Sequence, residues 1–181
     1  MKRLLTVSLL AFGAGIFAQE KASVEKSLTG IQVGLFGAEL YNEVRLSDRF
    51  SLRSQIALYP SIWGGEMYNK TGFALAPALS LSPKFYYNLD KRLEMNKNIK
   101  NNSGNYVSVK IEYMPDLFVI SNVNGIEVQP TFAIIPHWGL RRNFADNFNY
   151  EFRAGLGIAK VSQRHGMIAQ PELIFKIGYD F

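Results

Sequence analysis

The most constraining feature of this chain is a two-residue alternation that runs unbroken through its last residues. Leu173, Phe175, Ile177, Tyr179 and Phe181 fall on one face, and Glu172, Ile174, Lys176, Gly178 and Asp180 on the other. Successive side chains of a β-strand point to opposite sides, so this is a strand with one apolar, aromatic-rich face and one mostly polar face. The pattern recurs upstream. Phe50, Leu52, Ile56 and Leu58 alternate with Ser51, Arg53, Gln55 and Ala57, and Val107, Val109, Ile111 and Tyr113 with Ser108, Lys110 and Glu112. Phe132, Ile134, Pro136, Trp138 and Leu140 alternate with Ala133, Ile135, His137, Gly139 and Arg141. Phe148, Tyr150, Phe152, Leu156 and Ile158 stand opposite Asn149, Glu151, Arg153 and Gly157, and Ala38, Leu40, Asn42 and Val44 opposite Glu39, Tyr41, Glu43 and Arg45.

Mean hydropathy is −0.02, far too polar for a bundle of membrane helices. A closed barrel reconciles that value with the aromatic faces, because its apolar side meets lipid while half of each strand stays polar inside. The expected fold is all-β: an antiparallel, up-and-down transmembrane β-barrel. Ser47-Asp48-Arg49 and Ala145-Asp146-Asn147 are short turns, whereas residues 61–72, 115–130 and 159–166 are longer and richer in Gly, Asn and Ser. Such barrels pair short periplasmic turns with longer external loops, which orients every strand counted back from Phe181. Seven strands are distinct and an even number is needed. The eighth is sought within residues 20–36, with a break near Gly34 and Gly37; the alternative is residues 117–128. Pro77 and Pro83 cannot donate to a ladder and are expected at bulges or strand ends. Residues 88–105 are charged and Asn/Lys-rich, so a mobile, solvated segment is expected there, although Leu89, Leu93 and Met95 have the spacing of a short helix.

The N-terminus has the layout of a secretory signal peptide. Lys2 and Arg3 precede an apolar run over residues 4–17, and Ala18 is the expected cleavage point. The run is too short to span a bilayer, which takes about 20 apolar residues. The division is therefore a signal peptide, residues 1–18, and one barrel domain, residues 19–181. Net charge is +5, and +3 without Lys2 and Arg3. No basic cluster interleaves with aromatics, so nucleic acid is not an expected partner. The absence of cysteine excludes disulfides, thiolate metal sites and a lipid-modified cysteine.

Four stretches carry a resemblance: Lys84-Phe85-Tyr86-Tyr87-Asn88-Leu89, Ser103-Gly104-Asn105-Tyr106, Trp138-Gly139-Leu140-Arg141-Arg142 and Ile177-Gly178-Tyr179-Asp180-Phe181. With them the chain resembles small outer-membrane β-barrels of Gram-negative bacteria, and more closely a porin-like group of Bacteroidota. The closing strand is similar to the signal read by the outer-membrane assembly machinery, with Leu173, Phe175, Ile177, Tyr179 and Phe181 as its outward residues. The resemblance implies outer-membrane lipid and that machinery as partners, and export to the cell outer membrane. It specifies no reaction.

If the aromatic faces look at lipid, the lumen holds Glu39, Glu43, Glu112, Glu151, Glu172 and Asp180 together with Arg45, Arg53, Lys110, Arg141, Arg153 and Lys176. Buried charge is costly unless paired, and eight strands leave room only for side chains. The expectation is a cross-linked ion-pair network without an open pore. Enzymatic activity is not expected: His137 and His165 stand alone, and a rim arrangement of His165, Ser162 and Glu66 has nothing in its spacing to favour it. Scattered carboxylates make no metal cluster, and Gly64-Gly65 and Gly155-Leu156-Gly157 lack the residues of a phosphate loop, so neither metal nor cofactor is expected. Trp63, Met67 and Tyr68, and Leu117 to Ile120, leave an extracellular ligand open. Three roles remain: a structural or surface-interaction barrel, a small porin-like channel or solute carrier, and a soluble periplasmic lipocalin-like barrel. The matched charges favour the first over the second, and the aromatic closing strand argues against the third.

Overall fold

A computed structural model describes residues 22–65 and 71–181; the signal-peptide reading of residues 1–18 lies outside the described residues, as do residues 66–70 with Glu66. The elements are β1 (Ser27–Gly34), β2 (Gly37–Arg45), β3 (Phe50–Trp63), β4 (Gly72–Tyr86), α1 (Leu89–Glu94), a 3₁₀ turn (Lys100–Asn102), β5 (Asn105–Met114), β6 (Ile120–Ser121), β7 (Thr131–Phe144), β8 (Phe148–Val161) and β9 (Ile168–Asp180). Every strand pairs antiparallel with its neighbour, β9 returns to β1, and β3 closes onto β4. Among the described residues this is an eight-stave, up-and-down closed barrel, with β6 a two-residue addition against Ala74 and Leu75. The eighth stave is β1, separated from β2 at Gly34 and Gly37. The alternative within residues 117–128 supplies only β6.

The alternation sorts the walls. Ile31, Leu40, Ile56, Leu79, Ile111 and Ile158 belong to a continuous exposed apolar belt. Phe50 and Phe85 (ring centroids 4.7 Å apart), Phe144 and Phe148 (5.9 Å), and Tyr179 and Phe181 (5.7 Å) ring the end at which β9 finishes. Phe36, Phe73, Tyr113 and Phe132 ring the other. One polar inset interrupts the belt: Asn42 donates from Nδ2 to Ser27 Oγ (3.0 Å) and Thr29 Oγ1 (2.7 Å), which satisfies it on an apolar face.

Two sequence expectations are corrected. Pro83 is neither a bulge nor a strand end. It sits inside β4, where the β4–β5 ladder is interrupted between Leu81 and Lys84 without a change of register, and its carbonyl accepts from Ser108 Oγ at 2.8 Å. Pro77 likewise lies within β4, past the last pairing with β5 at Leu79–Tyr113. Residues 88–105 are not a solvated tether. They fold back as α1 and the 3₁₀ turn over the end that carries the short turns, and Leu89, Asn101, Asn102 and Ser103 are buried. Leu89 joins Ala22, Val24, Tyr86 and Tyr106 in an apolar cluster. The asparagines have a backbone reason: Asn96, Asn101 and Asn102 take φ of 53°, 51° and 60°, a left-handed conformation that Asn tolerates better than most residues.

Candidate functional site

The polar faces converge in the lumen between the short-turn end and mid-height. Glu39 accepts from Arg53 Nη2 (2.5 Å), Arg153 Nη2 (3.1 Å) and Lys176 Nζ, so three strands besides its own hold one carboxylate. Glu151 accepts from Arg53 Nη1 (2.9 Å), Lys84 Nζ (3.0 Å), Arg141 Nη1 (3.2 Å), Gln32 Nε2 (3.1 Å) and the Tyr106 hydroxyl. Glu43 accepts from Lys84 Nζ (3.1 Å), Ser51 Oγ (2.7 Å), Tyr86 OH (2.9 Å) and Asn102 Nδ2 (2.8 Å). Asp180 accepts from Arg141 Nη2 (2.6 Å), Asn101 Nδ2 (3.2 Å) and the Tyr41 hydroxyl. The Arg53 guanidinium also lies 3.7 Å from the Tyr41 ring centroid, and Lys84 Nζ 4.3 Å from that of Tyr106.

These side chains are fully or nearly fully buried. Charges removed from water keep their ionisation only when opposite charges and hydrogen bonds replace hydration. Here that condition is met by equal numbers: Glu39, Glu43, Glu112, Glu151, Glu172 and Asp180 against Arg53, Lys84, Lys110, Arg141, Arg153 and Lys176. Arg45 stands apart; it is half-buried, and no ion pair to it is seen among the described residues. Lys84, which the sequence reading did not include, takes the place expected of Arg45. Its signal was present in the inward run Ala74, Ala76, Ala78, Ser80, Ser82, Lys84 and Tyr86, but small residues and two prolines flattened the alternation. Gln32, Tyr41, Tyr106, Asn101 and Asn102 were missed as network members because their partners lie far away in sequence.

Toward the long-loop end the lumen changes character. Lys110 pairs with Glu172 and with Glu112 (3.1 Å), and Tyr59 OH donates to Glu112 (2.6 Å). Beyond that floor Ala133, Ile135 and Ile168, which cluster with Ala159, line a cavity of about 550 Å³.

His137 is buried, with Nδ1 3.1 Å from the Ile135 carbonyl and 3.9 Å from Glu172 Oε1. His165 and Ser162 are exposed in the β8–β9 loop, and their third suggested partner, Glu66, lies outside the described residues. Among the described residues no three His, Cys, Asp or Glu side chains gather as a metal site. Leu173, Phe175, Ile177, Tyr179 and Phe181 all lie on the outer wall. Comparison with protein-family models, with curated proteins and with solved structures finds no match to this chain.

Proposed function

We propose that this chain is an integral outer-membrane β-barrel with a structural or surface-interaction role, whose lumen is sealed by the ion-pair network. The observation that carries this reading is the inversion of polarity across the wall. Large apolar side chains lie outside between two aromatic rings, and the charged residues lie inside, paired. A water-soluble barrel is built the other way round, whereas a lipid-facing one needs this arrangement. In the proposed orientation the short turns and the α1 cap face the periplasm, and the long loops face outward. The cap adds a second seal, since Asn101 and Asn102 bind the same carboxylates that the lumenal cations hold.

Membrane fractionation combined with surface protease accessibility tests the reading. The expected result is recovery in the outer-membrane fraction, gel migration that shifts on heating, and cleavage confined to the long loops. Quantitative extraction without detergent would overturn it.

A further inference from the structure

The β1–β2 hairpin is shorter than its neighbours. Its register ends at Gly34 opposite Gly37. β3 is paired with β2 only as far as Leu58 and continues to Trp63; β9 is paired with β1 only as far as Lys176 and continues back to Ile168. Among the described residues neither extension has a ladder partner on that side. The barrel wall therefore has a notch above the hairpin tip. At the usual strand spacing, two missing strands leave about 14 Å between β3 and β9.

Three observations mark the notch as built into the chain. Each edge carries one proline, Pro60 on β3 and Pro171 on β9. The Phe50 amide faces β2 and the Phe181 amide faces β1, and unbroken registers carry the same facings to Pro60 and Pro171. The missing N–H of both prolines thus points into the gap, which blunts the edges against further pairing. The hairpin tip is Leu35-Phe36, 90% and 55% exposed, where polar turn residues are the rule. A tip of that composition belongs in hydrocarbon. Finally, an apolar groove of about 450 Å³ on the outer wall, lined by Val33, Leu35, Phe152 and Phe175, shares Phe36, Leu173 and Ile174 with the lumenal cavity. The two volumes meet at the notch.

The cavity floor is polar. Glu172 lines it with its side chain 3% exposed, and among the described residues its Oε1 has no hydrogen-bond partner, His137 Nδ1 standing 3.9 Å away. A buried carboxylate oxygen without a donor is costly and favours a ligand that brings one.

We propose that the notch is a side portal through which the barrel takes one single-chain amphiphile from the bilayer, its hydroxyl or ammonium head donating to Glu172 and its alkyl chain leaving along the Phe36–Leu173 groove. The proposal rests on the membrane reading above. The combined volumes lie in the range of small-molecule sites. The floor holds two carboxylates, Glu112 and Glu172, around one cation, Lys110, which both already pair, so its net negative charge selects against a carboxylate head.

The test uses purified, folded protein in detergent micelles, with 1-monomyristoylglycerol and ionised myristate as probes and native mass spectrometry as the readout. The expected result is one monoglyceride per barrel, bound about tenfold or more tightly than myristate, the scale of one charge-assisted hydrogen bond. Ala133→Phe, which fills the cavity, should weaken binding by about tenfold while heat-modifiable migration is retained. Glu172→Gln should reduce the preference for monoglyceride over myristate by a similar factor. A folded barrel that binds neither probe, or that binds both equally, or whose Ala133→Phe variant binds as the parent does, would overturn the portal and leave the membrane reading standing. Recovery of the chain without detergent would overturn the membrane reading itself.

Discussion

Tyr106 and Gly139 face each other across the β5–β7 ladder, and the phenol ring lies directly on the glycine. A Cβ at position 139 would come within 2.3 Å of Tyr106 Cζ. The same arrangement joins Gly30 and Tyr41 across β1 and β2, where the Tyr41 hydroxyl would lie 2.5 Å from an added Cβ. Each glycine lets an aromatic lie flat against the lumen wall and aim its hydroxyl at a buried carboxylate, Glu151 for Tyr106 and Asp180 for Tyr41. Gly139→Ala should push Tyr106 off Glu151 and cost about 1–3 kcal/mol, as overpacking does in a dense interior. The urea midpoint of heat-modifiable migration checks it; an unchanged midpoint would mean that the ring moves aside freely.

The network is not uniform, and its centre should matter most. Glu151 is within hydrogen-bonding reach of three cations, so Glu151→Gln leaves Arg53, Lys84 and Arg141 short of countercharge. Removing one partner from a buried ionic cluster costs about 3–5 kcal/mol. Glu112, near the long-loop end, has a side chain 13% exposed and can hand its role to water. Equilibrium unfolding in lipid vesicles should place Glu151→Gln well below Glu112→Gln in stability. Equal losses would show that the charges act independently of depth.

The cap over residues 88–105 makes a separate prediction. Asn102 accepts from the Glu25 amide (2.6 Å) and donates to Glu43 (2.8 Å), and Asn101 N donates to Glu25 Oε1 (3.3 Å). Asn102→Ala removes two hydrogen bonds at a buried position, at about 1–3 kcal/mol. Amide exchange near Glu25 and Asn101 should accelerate while the staves keep their protection. Fast exchange there in the parent protein would contradict the cap.

These residues also show which parts of the molecule were legible in the sequence. The staves were, because period two leaves the same mark wherever one wall faces apolar surroundings and the other does not. Gly34 and Gly37 marked the first hairpin, although Leu35-Phe36 between them carries no turn chemistry. The cap was not legible: an Asn/Lys-rich stretch reads as solvated when its partners, Glu25 and Glu43, are dozens of residues away. Lys84 was obscured for a local reason, since the alanines and prolines of β4 mask which side of the strand is polar.

The apolar belt predicts a contrast by position. Leu79→Arg places a charge on the outer wall between the two aromatic rings, at about 2–4 kcal/mol if that wall meets the bilayer midplane. Leu117→Arg, on the exposed β5–β7 loop, should have almost no effect. Folding yield into vesicles compares the two, and equal tolerance would remove the case for a lipid-facing belt.

A membrane barrel whose lumen is closed by paired charges should not pass ions. Planar-bilayer recording of purified, folded protein tests it most directly. The expected recording is a flat baseline with no steady conductance step in the parent, since Arg53, Arg141, Arg153 and Lys84 cross the lumen from opposite walls and are held there by Glu39 and Glu151. A reproducible, long-lived conductance step from the parent protein would contradict it.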